Sequence, residues 1–144
     1  MNKVLEMAKD FKKKYPFTIS WRLKKHAKIV NKHLNPGEKV TYVFAAQKND
    51  NPLDIITTNL VVLTNKRLIL ATKRVVFGYF FTTITPDMFN DLKVKMGIFW
   101  GKINIDTINE QVLISNIQKE ALPEIETKIT EFMMKEKKKN YKIK

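Results

Sequence analysis

The chain has 144 residues and no cysteine, and its 27 Lys and Arg against 14 Asp and Glu leave a formal charge of +13. This length predicts one domain that buries a core without crosslinks, and the missing cysteines exclude a disulfide framework, a thiolate metal site and a Cys nucleophile. The opening MNKVLEMAKDFKKKYPF lacks the apolar run of a secretory signal, and no window approaches the ~18 apolar residues of a membrane-spanning helix, so a cytoplasmic protein is expected.

The charge is unevenly placed: residues 1–36 carry +8, residues 37–115 only +2, and residues 116–144 carry +3. A basic surface of this kind attracts phospholipid headgroups, nucleic acid or acidic proteins over a range that salt screens, or else serves solubility.

In chain order, Val4, Leu5, Ala8 and Phe11 predict a first helix ending before Pro16. Thr18 or Ser20 is the expected cap of a second, which stops at Asn35-Pro36-Gly37. At about 100° per residue, Ile19, Leu23, Ala27, Val30 and Leu34 form an apolar arc. Lys24, Lys25, Lys28 and Lys32 form a second arc that includes Trp21. An indole among lysines suits a lipid headgroup region, where each Lys adds about 1 kcal/mol, and equally a nucleic-acid backbone with a base stacked on the ring. The competing expectation is plainer: the apolar arc packs on the rest of the domain, the lysines are solvated, and Trp21 covers a neighbouring helix or chain. His26 and His33 fall on one face two turns apart, about 10 Å, too far to share a metal, and are read as surface or interface residues.

The middle of the chain is all-β in pattern. Residues 38–47 form a first strand with Val40, Tyr42 and Phe44 on one face and Thr41, Val43 and Ala45 on the other. After a polar loop at 48–56 come strands at 57–63 and 67–72, joined by the Thr64-Asn65-Lys66 turn, and another at 77–83. Lys66 and Arg67 belong to that tight turn and are expected to be structural. The connection Lys73-Arg74-Val75-Val76-Phe77 sets two cations before three apolar residues; it either presses into a bilayer or, the favoured expectation, continues two long strands. Thr85-Pro86-Asp87 opens a helical turn. Leu92, Val94 and Met96, then Ile103 and Ile105, alternate with polar residues as half-buried strands, and residues 112–114 make the seventh. Leu122, Ile125, Ile129 and Phe132 then recur at helical spacing, with Pro123 near the helix start. From Lys135 the sequence KEKKKNYKIK predicts a disordered basic tail.

Seven strands capped by one amphipathic helix match the pleckstrin-homology (PH) superfold. LNPGEKV at 34–40, LVVLTNKRLILATKRVVFGYF at 60–80, ITPDMFNDLKVKMGIFWGKINIDT at 84–107 and ALPEIET at 121–127 resemble the YokE-like bacterial PH-domain family. The resemblance spans roughly residues 34–132. It implies a mainly β fold, a seven-stranded antiparallel barrel or sandwich capped by a C-terminal helix, in a bacterial or prophage-encoded protein whose family has no established activity or ligand. It says nothing of residues 1–33. The chain departs from phosphoinositide-binding PH domains, which gather Lys and Arg across the first two strands: residues 43–58 hold Lys48 alone, opposed by Asp50 and Asp54. The Trp usual in the capping helix of those domains is absent as well.

An enzymatic reading fails on inventory. Residues 37–115 contain no His, no Cys and a single Ser, Ser115, so the barrel cannot build a Ser/His or Cys/His pair, and four glycines make no phosphate-cradling loop. The sequence therefore predicts a non-enzymatic binding module without cofactor or metal. Residues 1–35 form a basic helical extension, 36–134 the PH-like domain and 135–144 the tail. The candidate binding residues are Trp21, Lys24, Lys25, Lys28, Lys32, Lys73, Arg74 and Phe77. The expected partner is an anionic phospholipid surface at the inner face of the membrane or a protein, including another copy of the chain; no small-molecule substrate is expected, and nucleic acid ranks third for want of a reader motif.

Overall fold

A computed structural model describes residues 3–18, 21–47, 58–74 and 77–143. Two helices, α1 (Lys3–Lys14) and α2 (Leu23–His33), precede seven strands: β1 (Val40–Gln47), β2 (Thr58–Thr64), β3 (Leu68–Lys73), β4 (Tyr79–Ile84), β5 (Phe89–Met96), β6 (Trp100–Thr107) and β7 (Gln111–Gln118). A short 3-10 turn at Lys119–Ala121 leads into α3 (Leu122–Ile143). The strands form one antiparallel sheet in the order β4-β3-β2-β1-β7-β6-β5, curled into a half-barrel. Among the described residues its two halves meet at one ladder position, Gln47 opposite Ser115, where the Ser115 hydroxyl donates to the Gln47 carbonyl at 3.1 Å and the Asn116 amide donates to the Gln47 side chain.

The inner face packs Phe44, Val61, Leu63, Leu68, Leu70, Ile103, Ile105 and Ile114 against Leu122, Ile125 and Ile129 of α3. The helical stripe ends on Met133, fully buried, rather than on the expected Phe132, which is only partly buried. The step from 129 is thus four residues, not three. A second core lies on the opposite face of the sheet, where Val43, Leu60, Val62, Ile69 and Ala71 pack against Val4 and Ala8 of α1 and Ala27, Ile29 and Val30 of α2. Both faces of β2 are therefore covered, which is why Leu60-Val61-Val62-Leu63 is unbroken in apolar character. Burying each such side chain contributes about 1.5–3 kcal/mol, so the helices are held by the same force that closes the barrel.

Several details differ from the sequence expectations. Val40 joins the outer core rather than the face of Tyr42 and Phe44, because the β1–β2 register shifts between Val40 and Tyr42. The backbone of 135–143 is helical, not a disordered tail: the packed turns of α3 supply the costly nucleus, and Lys and Glu then extend the helix readily. Thr85-Pro86-Asp87 forms the expected single turn, closed by the Met88 N–H on the Thr85 carbonyl at 3.0 Å and by the Thr85 hydroxyl on Asp87, and it does not lengthen into a helix. Arg67 is structural as expected. Its Nε donates to Glu38 Oε2 at 2.9 Å, one Nη donates to the His33 carbonyl at 2.7 Å, and the other meets the Thr83 hydroxyl at 3.2 Å. Burial opposes ionisation of Glu38, yet the Arg67 guanidinium, the Asn35 N–H and the Thr64 hydroxyl together hold its carboxyl below the usual range.

Candidate functional site

α2 begins at Leu23, later than the cap rules predict, with Arg22 as its N-cap in the left-handed region at φ 56° and no side-chain cap. Ser20 and Ile19 lie outside the described residues, and Thr18 is buried in the link from α1. Trp21 consequently precedes the helix, so helical periodicity does not set its direction relative to the lysines; it is half-buried, with the Arg22 guanidinium 5.0 Å from its ring centre. Inside the helix the pattern holds, since Ala27 and Val30 face the sheet, joined by Ile29 and His26.

Lys25, Lys28 and Lys32 recur at steps of three and four and project beside the end of β3. With Ile29 and Lys73 they line a surface recess of about 250 Å³. This volume falls below the several hundred Å³ typical of an enclosed small-molecule site, so the recess suits a surface contact rather than engulfment of a substrate. Four lysines line it, and among the described residues no Asp or Glu does. The structure thus unites two candidates that were separate in the sequence, the helix face and Lys73. Lys24 is exposed on α2 but does not line the recess, nor do Arg74 and Phe77.

His26 fixes this arrangement. Read from the sequence as a surface or interface residue, it is fully buried, and its Nδ1 accepts the Lys73 N–H at 2.8 Å, tying the end of β3 to α2. Burial is the main cause that pushes its pKa down to about 4, with the Arg22 charge acting in the same sense and the Trp21 carbonyl against it. The imidazole is therefore neutral and holds position without adding charge. His33 makes a second tie: its Nδ1 donates to the Ile29 carbonyl at 2.8 Å, the Tyr79 hydroxyl donates to its Nε2 at 3.1 Å, and its ring stacks on Phe81 at 4.3 Å.

The paired strands reach Lys73 opposite Tyr79, where β3 ends and β4 begins. Arg74 N–H bonds the Gly78 carbonyl at 3.1 Å, and Gly78 sits at φ 68°, where a side chain is strained. Phe77 is 79% exposed at this turn. Arg74 covers the exposed ring of Phe80, 5.1 Å from its centre, while Val75 and Val76 lie outside the described residues. The polar loop with Lys48, Asp50 and Asp54 lies outside them too. Among the described residues there is no cluster of His, Cys, Asp or Glu that could hold a metal, and no helix is long and apolar enough to cross a membrane.

One other cluster of ionisable groups is structural. Glu124 at the start of α3 accepts from the Tyr42 hydroxyl at 2.7 Å, the Tyr15 hydroxyl at 3.1 Å and the Lys14 ammonium. Burial opposes its ionisation, but Lys14 and the two tyrosines hold its carboxyl below the usual range, and burial first, then Glu124, pushes the Tyr42 hydroxyl far up. Every oxygen of Glu124 is occupied in joining α1, β1 and α3.

The chain is similar to the pleckstrin homology domain from Shewanella amazonensis, with 19% identity over 78% of this chain and 89% of that one and a TM-score of 0.50. A DUF1696 family protein with a pleckstrin-homology domain from Shewanella loihica gives 15% identity over 79% and 99%, again at a TM-score of 0.50. At these identities the likeness speaks for the fold alone. No curated protein matches the sequence. The model of one family, described as Bacterial PH domain, matches residues 34–143, from the end of α2 to the end of α3. The recess is therefore shared between an extension outside the matched region, which supplies Lys25, Lys28 and Lys32, and the matched region, which supplies Lys73. With its half-barrel, capping helix and most of its length covered, the chain belongs to the Bacterial PH domain family.

Proposed function

We propose that this protein is a non-enzymatic binding module, of the YokE-like kind within its family, that docks peripherally on anionic phospholipid at the cytoplasmic face of a membrane. The observation that carries this reading is the recess in which Lys25, Lys28 and Lys32 of α2 converge with Lys73 of β3. Four cations, with no Asp or Glu beside them among the described residues, suit several phosphates on a flat surface, and each Lys near such a surface contributes about 1 kcal/mol. The neighbouring turn supports the same use, since Arg74 and the exposed Phe77 combine a cation with a ring suited to the interface. Trp21, which precedes α2, and Lys24, exposed on its first turn, would complete this surface.

The test is co-sedimentation with vesicles of phosphatidylcholine alone or mixed with phosphatidylglycerol. Intact protein should pellet only with the anionic mixture, and less at high salt. Replacing Lys25, Lys28 and Lys73 together by Gln should lower partitioning by about a hundredfold, as three lysines at about 1 kcal/mol each imply. Unchanged partitioning of that variant would reject the recess as the docking surface.

A protein partner is the second reading, supported by β4, an edge strand of the sheet with Tyr79 and Phe80 exposed. It requires association, with another copy or another protein, that persists at high salt.

A further inference from the structure

The hairpin joining β5 to β6 carries a feature the lysine recess does not explain. Its tip holds Met96, Ile98 and Phe99, which are 58%, 79% and 73% exposed, and no charged residue stands between Met96 and Trp100. The tip is built rather than frayed: Met96 pairs with Gly101, and the Gly97 N–H donates to the Trp100 carbonyl at 2.9 Å. A Cβ at Gly97 would lie 2.8 Å from that same carbonyl oxygen, so the turn closes only around glycine. Large apolar side chains are thus held out in water by a defined backbone, at a hydration cost that the fold does not recover.

Behind the tip the hairpin is basic. Lys95 stands directly across from Lys102, and Lys93 follows on the same strand. With Val94, Asn104 and Leu113 these three lysines line a recess of about 420 Å³, large enough for a ligand group. A second exposed ring lies toward this end of the sheet: the Phe17 N–H donates at 2.9 Å to the side chain of Gln118, the residue that pairs with Trp100.

We propose that the β5–β6 hairpin inserts Ile98 and Phe99 into the acyl region of an anionic bilayer while Lys93, Lys95 and Lys102 hold lipid phosphates around its stem. The sequence of chemistry along the hairpin carries the choice of occupant. Apolar groups at the extremity and ammonium groups three to five residues behind Ile98 and Phe99 reproduce the order of a leaflet, hydrocarbon below and phosphate above. A projecting tip enters a fluid readily but offers a protein partner little flat area for a packed interface core. The inference rests on the membrane reading above and adds a penetrating element to it, at a site made entirely within the matched domain.

The chain's two tryptophans permit a test in the full-length protein, because Trp21 lies beside α2 and Trp100 at the hairpin. In a Trp21→Phe variant, Trp100 emission is followed on addition of phosphatidylcholine/phosphatidylglycerol vesicles with bromines placed along the acyl chains. The expected result is a blue shift with quenching by the shallow bromines, and both should disappear with Ile98→Asp/Phe99→Asp. Because those two side chains are exposed, the double variant should keep its melting temperature while partitioning falls roughly tenfold or more. If the protein pellets with vesicles but Trp100 is neither shifted nor quenched, the insertion is overturned and the lysine recess stands. If the intact protein does not pellet at all, both readings fall. Loss of self-association in the double variant, with vesicle affinity unchanged, would overturn insertion in favour of a second copy at the tip.

Discussion

At the scale of single residues, His26 shows how an uncharged ring can set the geometry of a cluster of charges. Its Nδ1 accepts the Lys73 amide only while that nitrogen is unprotonated, and its pKa stands near 4 in the fold against 6.5 for an unperturbed imidazole. The sign follows from linkage. A folded pKa below the unfolded one means that the unfolded chain binds the proton more readily, so stability is fully present above about pH 6.5 and is lost as pH falls toward 4. Two and a half pH units of separation predict a loss on the order of 2 kcal/mol by pH 5. Urea unfolding at pH 7.5 and pH 5 should show this extra loss in the wild type and not in His26→Gln, whose amide oxygen can still accept the Lys73 N–H. Equal pH dependence in the two proteins would remove His26 as its source. The sequence hid this residue for a physical reason: the amide it satisfies is 47 positions away, and no local pattern marks an acceptor for a strand not yet placed.

At the scale of elements, period decided what could be read. Alternation located β5 and β6, and apolar runs located β2 and β3, because side-chain direction follows backbone geometry wherever one face is buried. Trp21 was misplaced because α2 starts from a left-handed Arg22, a backbone choice that an arginine does not announce as a glycine would. Lys73 could be named as a candidate from the sequence, but its meeting with Lys25, Lys28 and Lys32 depended on α2 lying along β3, which helical periodicity alone cannot fix. The tip at Ile98 and Phe99 looked like an ordinary stretch between two strands, since exposure of an apolar residue has no sequence signature. The capping helix carries its own close-packing mark. A Cβ on Gly101 of β6 would lie 2.2 to 2.9 Å from the side-chain carbons of Leu122, so α3 rests directly on a strand with no side chain between. Gly101→Ala should therefore cost about 1–3 kcal/mol through overpacking. Leu122→Ala opens room at that contact, so thermal or urea unfolding of the double variant should show less than the sum of the single losses. Strict additivity would mean that the two positions do not compete for space.

At the scale of the molecule, the balance between the two cores decides what the N-terminal helices are for. α1 and α2 lie outside the family-matched region, yet they cover Val43, Leu60, Val62, Ile69 and Ala71, and Phe11 of α1 with Tyr15 just after it joins the inner core, Phe11 packing on Tyr42 and Phe44. A half-barrel stripped of them would expose one contiguous apolar face across three neighbouring strands, a surface that soluble monomers rarely leave open. It would also lose the Lys14 and Tyr15 contacts to Glu124 and the Arg67 bond to the His33 carbonyl. Residues 36–144 produced alone should therefore aggregate or melt without a cooperative transition, where the full chain melts cooperatively as a soluble species. Size-exclusion chromatography with thermal unfolding separates the outcomes. A soluble, cooperatively melting fragment would mean that the extension is an accessory that adds Lys25, Lys28 and Lys32 to the proposed docking surface. Collapse of the fragment would mean that the same helix both closes the outer core and displays the lysines, so the docking surface exists only in the folded whole.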